Sequence, residues 1–198
     1  MKIRLSTLTI LCCILSCTNS TKPKDSKSIR NDSEGIKSDV RNITWGDSPK
    51  EVKVKETWEF NSEAKGTLLY NGSVFNLPCQ LIYEFNDSEK LSNCAYIFSH
   101  DHTIAGDYLT DFQEIKKLLI EKYGKPTNDT IIRKDHTPLI YIDMDLRSGR
   151  LTYITTWLNE RTIISLLLNG GESKVTLSIS YHSKEYYESP QKKALKDL

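Results

Sequence analysis

Two runs of strand-forming residues, separated by one long amphipathic helix, set the tightest limit on how this chain folds. The first run comprises Trp58–Phe60, Thr67–Tyr70, Val74–Phe85 and Leu91–Phe98, all rich in β-branched and aromatic residues. Within it Cys79, Leu81, Tyr83 and Phe85 alternate with Gln80 and Glu84, the pattern of a strand with one dry and one wetter face. Between the runs, DYLTDFQEIKKLLIEKYGKP places Leu109, Phe112, Ile115, Leu118 or Leu119, and Tyr123 at helical spacing. Asp107 is the expected cap, and Gly124 and Pro126 end that helix. The second run comprises Thr130–Arg133, Leu139–Leu146, Leu151–Leu158, Thr162–Leu168 and Val175–Tyr181, with turn signals at Ser148-Gly149 and Gly170-Gly171. Asn71-Gly72 is the strongest hairpin signal in the first run, and Asn86–Glu89 is a second turn. A short helix over about 49–56 opens the body: Ser48 and Glu51 have capping-box spacing and Pro49 suits a first helical position. The order is helix, about four strands, helix, about five strands. It predicts an α+β class, with antiparallel sheet covered by two helices and halves that suggest a loose tandem duplication.

The amino terminus has a different logic. Lys2 and Arg4 precede the mainly apolar LSTLTILCCIL of residues 5–15, the layout of a secretory signal peptide. That stretch is shorter than the roughly 20 apolar residues a membrane span needs. Ile14-Leu15-Ser16-Cys17 resembles a bacterial lipobox, in which aliphatic residues and a small residue precede a cysteine. The resemblance implies cleavage before Cys17, lipidation of that residue, and a lipid-anchored protein of the bacterial cell envelope. Thr18, which is not acidic, points weakly to the outer membrane over the inner. Cys12 and Cys13 would leave with the signal. Each acyl CH₂ buried in lipid is worth about 0.8 kcal/mol, so two chains hold a domain durably.

Residues 18–42 are Ser, Lys, Asp and Asn with few apolar positions and read as a disordered spacer. Such a spacer has a root-mean-square reach of roughly 28 Å. The expected organisation is therefore a signal peptide at 1–16, a lipidated Cys17 with its tether to 42, a globular domain at 43–184 and a charged tail at 185–198. Charge excludes one class of partner. The chain carries 27 basic and 26 acidic residues. Loss of 1–16 removes Lys2 and Arg4 and no acid, leaving a net charge of −1. So balanced a body has no field to capture nucleic acid. Six N-x-S/T triplets occur in a chain rich in Asn, Ser and Thr and read as compositional.

Few residues suggest chemistry. His100 and His102, two apart in Ser99-His100-Asp101-His102, project alike from an extended segment, and Asp101, Asp107 or His136 would be the third ligand of a metal. An exposed polar loop explains the same residues more simply. Asp143 and Asp145 would share a strand face, ordinarily the solvent face. There is no P-loop, G-x-G-x-x-G, HExxH or G-x-S-x-G, and no cofactor is implied. Cys79 and Cys94 fall on consecutive strands, and a turn centred between Asn86 and Asp87 would oppose them closely enough for a disulfide. Trp45-Gly46-Asp47-Ser48 before the first helix and EKYGKP at the end of the second resemble small periplasmic α+β domains, those like β-lactamase-inhibitor protein and the small lipoproteins of outer-membrane assembly. The resemblance implies a non-enzymatic, protein-binding role. An envelope enzyme or metal-binding protein centred on His100 and His102 is the alternative.

Overall fold

The computed structural model describes residues 38–134, 141–171 and 174–188. In chain order these form α1 (Pro49–Lys55), β1 (Glu59–Ala64), β2 (Thr67–Val74), β3 (Leu77–Phe85), β4 (Leu91–Phe98), α2 (Ala105–Tyr123), β5 (Asn128–Arg133), α3 (Ile142–Arg147), β6 (Leu151–Leu158), β7 (Thr162–Gly171) and β8 (Lys174–Ser183). The strands make one antiparallel sheet in the order β1-β2-β3-β4-β8-β7-β6-β5. Two four-stranded meanders thus meet edge to edge at β4 and β8, where Ala95 lies opposite Ser180. The molecule is mostly sheet, with three helices among the described residues.

Strand alternation sends one set of side chains to a single core. Leu68 and Tyr70 of β2 sit opposite Tyr83 and Leu81 of β3, and Tyr96 of β4 sits opposite Ile179 of β8. All are buried, and they join one cluster with Val52 of α1, Phe112, Ile115 and Leu119 of α2, and Leu146 of α3. The helices therefore lie on one face of the sheet. α1 is capped as its sequence dictates: the Ser48 side chain accepts from the Glu51 backbone, and Glu51 accepts from the Ser48 N–H at 2.8 Å. α2 starts three residues earlier than expected. Ile104 is its N-cap without a side-chain bond, and Asp107 sits in the first turn. Gly124 ends it at φ +81°, a conformation that favours glycine.

Five expectations are corrected. Asn71-Gly72 is not a turn; both residues lie inside β2, and the hairpin turns at Phe75-Asn76 with φ of +55° and +64°. Gly72 serves packing, because a Cβ there would overlap the Trp58 ring. The end of the expected strand Leu139–Leu146 is helical; residues 135–140 lie outside the described residues. Asp143 and Asp145 share no strand face: Asp145 is buried and bonded to Arg150, while Asp143 faces Arg147. Short apolar runs satisfy both periods, and Ile142 and Leu146 are also one helical turn apart.

Cys79 and Cys94 are free and do not oppose each other. Cys79 pairs with Phe98 and Cys94 with Tyr83, four rungs or about 13 Å apart, beyond any disulfide. The loop is closed by Asn86, whose side chain accepts from the Ser88 and Lys90 N–H groups, and a bulge between Glu84 and Phe85 shifts the register. Finally, packing begins before Ile43. Val40 and Ile43 bridge around a turn at Arg41-Asn42, and both are buried, so the last residues assigned to the spacer belong to the domain. Cys17, the signal segment and the rest of the spacer lie outside the described residues, as do 189–198 of the tail.

Candidate interaction surface

The face of the sheet opposite the helices is the largest functional candidate. Register places Leu69, Ile82, Ala95, Ile97, Leu167, Ile163 and Ile154 on it, spaced by Asn71, Gln80, Asn93, Ser178, Ser180 and Ser165. Most are half-buried, and no described helix packs there. Solvent faces of antiparallel sheets ordinarily carry long charged side chains. Here Glu59, Glu84, Lys174 and His182 are the ionisable strand residues that register assigns to this face. Its surface is aliphatic and short-polar across both meanders. In sequence it was legible only as the "wetter" alternation of single strands; that the two halves join into one surface depends on β4–β8 pairing, which no local pattern reveals.

His100 and His102 lie on the loop before α2. Their rings are edge to face at 4.5 Å, and His102 also abuts the Tyr108 ring at 4.7 Å. His102 Nε2 contacts Asp111 Oδ2 at 2.6 Å, and its backbone N–H donates to the Tyr108 hydroxyl at 3.0 Å. Arg147 of α3 donates to the carbonyls of His102 and Thr103 at 3.1 and 2.9 Å. These bonds fasten the loop to α2 and α3. Among the described residues, no three or more His, Cys, Asp or Glu side chains are arranged to hold a metal ion. Asp101 receives the Tyr108 hydroxyl at 3.4 Å, Asp107 lies 4.0 Å from His102, and His136 is outside the described residues.

Sequence reasoning missed a buried polar cluster where the domain leaves its amino-terminal segment. Glu56, just after α1, has a fully buried side chain. It accepts from Arg41 Nη2 at 3.0 Å, the Tyr83 hydroxyl at 2.5 Å and the backbone N–H groups of Thr57 and Trp58 at 2.7 and 2.8 Å. The Arg41 guanidinium also lies over the Trp58 ring, 4.4 Å from its centroid. The residue that ties down the incoming chain thus sits in a polar run with no motif.

The core beside this cluster is expected to be sensitive to alkali. Burial pushes the Cys79 thiol up to about 11, and holds the Cys94 thiol and the Tyr83, Tyr96 and Tyr181 phenols above their ordinary values. Each group is an acid whose protonated form the fold favours. That contribution is complete below the unfolded values of 9.0 for thiols and 10.0 for phenols, and is lost as pH rises through the folded ones. The melting temperature is expected to hold steady to about pH 8 and to fall continuously above about pH 9, with tyrosinate absorbance appearing together with unfolding. A phenol signal that titrates fully before unfolding would contradict the burial.

Comparison with known proteins gives no match: no family model, curated protein or solved structure is similar to this chain.

Proposed function

We propose that the chain is a lipid-anchored, non-enzymatic protein of the bacterial cell envelope that binds a protein or another envelope component through the open face of its sheet. The observation that carries the reading is the scarcity of ionisable side chains on that face, across strands drawn from both meanders. A surface built from Ile, Leu, Ser and Asn loses little on desolvation and matches the centres of protein interfaces, where charge is depleted. The lipobox-like Ile14–Cys17 supports the anchor. The two helix-plus-four-strand units, with α3 inserted in the second between β5 and β6, are read as a tandem duplication in an α+β domain.

Site-specific photo-crosslinking in intact cells tests the reading. A crosslinker at Ile97, on the open face, is expected to capture a discrete partner from the membrane fraction. The same group at Val54, exposed on α1, is not. Cys17→Ala is expected to release the protein from that fraction. Equal capture from both positions would remove the open face from consideration, and retention of Cys17→Ala in the membrane would remove the lipid anchor.

A further inference from the structure

The sheet ends in two edge strands that are treated differently. β1 is protected: its register breaks between Phe60 and Ser62, and Glu59 and Glu63 stand on it, the latter paired with Lys53 at 2.6 Å. Bulges and charges are the usual guards of an edge. β5 has neither a bulge nor a glycine or proline. Its register with β6 is continuous from Asn128 to Arg133, and all six residues are exposed. Ile131 is 53 % and Ile132 50 % exposed, one on each face.

We infer that β5 pairs antiparallel with β5 of a second copy of this chain, about a two-fold axis at Ile131. The backbone fixes which residues can meet. The Lys134 N–H donates to the Arg150 carbonyl at 3.0 Å, continuing the β5–β6 ladder by one rung. Even-numbered residues therefore turn their N–H and C=O toward β6, and Asp129, Ile131 and Arg133 turn theirs outward. An added antiparallel strand must set outward residues against outward residues. Among such self-pairings, the axis at Ile131 is the one that places Asp129 opposite Arg133 of the second copy, and does so twice. Ile131 then meets its own counterpart on the helix side, and Thr130 meets Ile132 of the second copy on the open side. Opposite charges directly across an antiparallel pair, flanking an aliphatic centre, are stabilising, whereas like charges there repel. Asp129 already receives Lys116 at 2.5 Å and the Thr155 hydroxyl at 2.8 Å, which hold its carboxylate in place at the edge. A two-fold axis normal to the sheet keeps the two open faces on the same side, as one surface of twice the span. The inference stands on β5 alone and does not require that the open face bind anything.

Cysteine crosslinking of the full chain in its native membrane tests it. Ile131→Cys would place two thiols on the axis, across a pair with Cα atoms about 5.5 Å apart, within disulfide range. Under mild oxidation this variant is expected to give a disulfide-linked homodimer on a non-reducing gel. The parent chain and Phe60→Cys, a half-exposed position on β1, are expected to stay monomeric. Adding Arg133→Asp should reduce the dimer several-fold, and adding Asp129→Arg together with Arg133→Asp should restore it. A monomeric Ile131→Cys, an equal yield from Phe60→Cys, a crosslink to a different protein, or indifference to Arg133→Asp would each overturn the proposal.

Discussion

Trp157→Ala is expected to cost about 4 kcal/mol of unfolding free energy, the upper range for a large core residue. Trp157 is 1 % exposed and lies on the helix side of β6. Its indole N–H donates to the Gly124 carbonyl at 2.9 Å, so the side chain fills the core and caps the end of α2 at once. Alanine leaves a cavity and an unpaired carbonyl, two separate losses. For a domain of this size the melting temperature should fall by roughly 10 °C. Trp157→Phe retains most of the volume and loses the bond, so about 1–2 kcal/mol is expected for it. Denaturant unfolding of the three proteins checks both values. An alanine cost below about 1 kcal/mol would show that α2 is held elsewhere.

The second large effect is expected at Arg41. Arg41→Ala leaves the Glu56 carboxylate in the core without its counter-charge, a change that costs about 3 kcal/mol. The remaining donors, the Tyr83 hydroxyl and two backbone N–H groups, are dipoles and do not replace the charge. If the penalty comes from the buried charge, removing that charge should repair it. The double variant Arg41→Ala with Glu56→Gln is therefore expected to be more stable than Arg41→Ala alone, by at least about 1 kcal/mol. Equal stabilities would mean that Arg41 acts through its stacking on Trp58, 4.4 Å away, and not through Glu56.

How far the residues disclosed this arrangement depended on the range of the force involved. The alternation of Cys79, Leu81 and Tyr83, the Ser48–Glu51 cap and the stripe on α2 are local, and the structure has them near where the pattern puts them. Asn71-Gly72 carries the strongest local turn signal, yet the Trp58 ring, fourteen residues earlier in the chain, requires a glycine at position 72. Phe75-Asn76 then takes the turn despite its weaker sequence signal. The cysteines separate because a turn centred two residues later moves each cross-strand partner by four. In the candidate site, His100 and His102 were found, but their bonding to Asp111, Tyr108 and Arg147 was not, since it depends on how α2 and α3 pack. The open face was equally hidden: each strand shows its own outward residues, and only the β4–β8 seam makes them one surface.

That seam also governs the order in which the molecule can be made. β4 has its first neighbour, β3, within a hairpin's length, but its second neighbour is β8, the last strand of the chain. During synthesis the first meander is complete while β4 still presents an unpaired edge, and some 75 further residues must follow before β8 arrives. Closing so long a loop is entropically costly and makes sheet completion slow. Over that interval β4 is a template for any other extended segment. If the chain is exported as proposed, it meets this hazard after crossing the membrane, and its yield should then respond to holding chaperones of that compartment more than to changes in the stability of the finished domain.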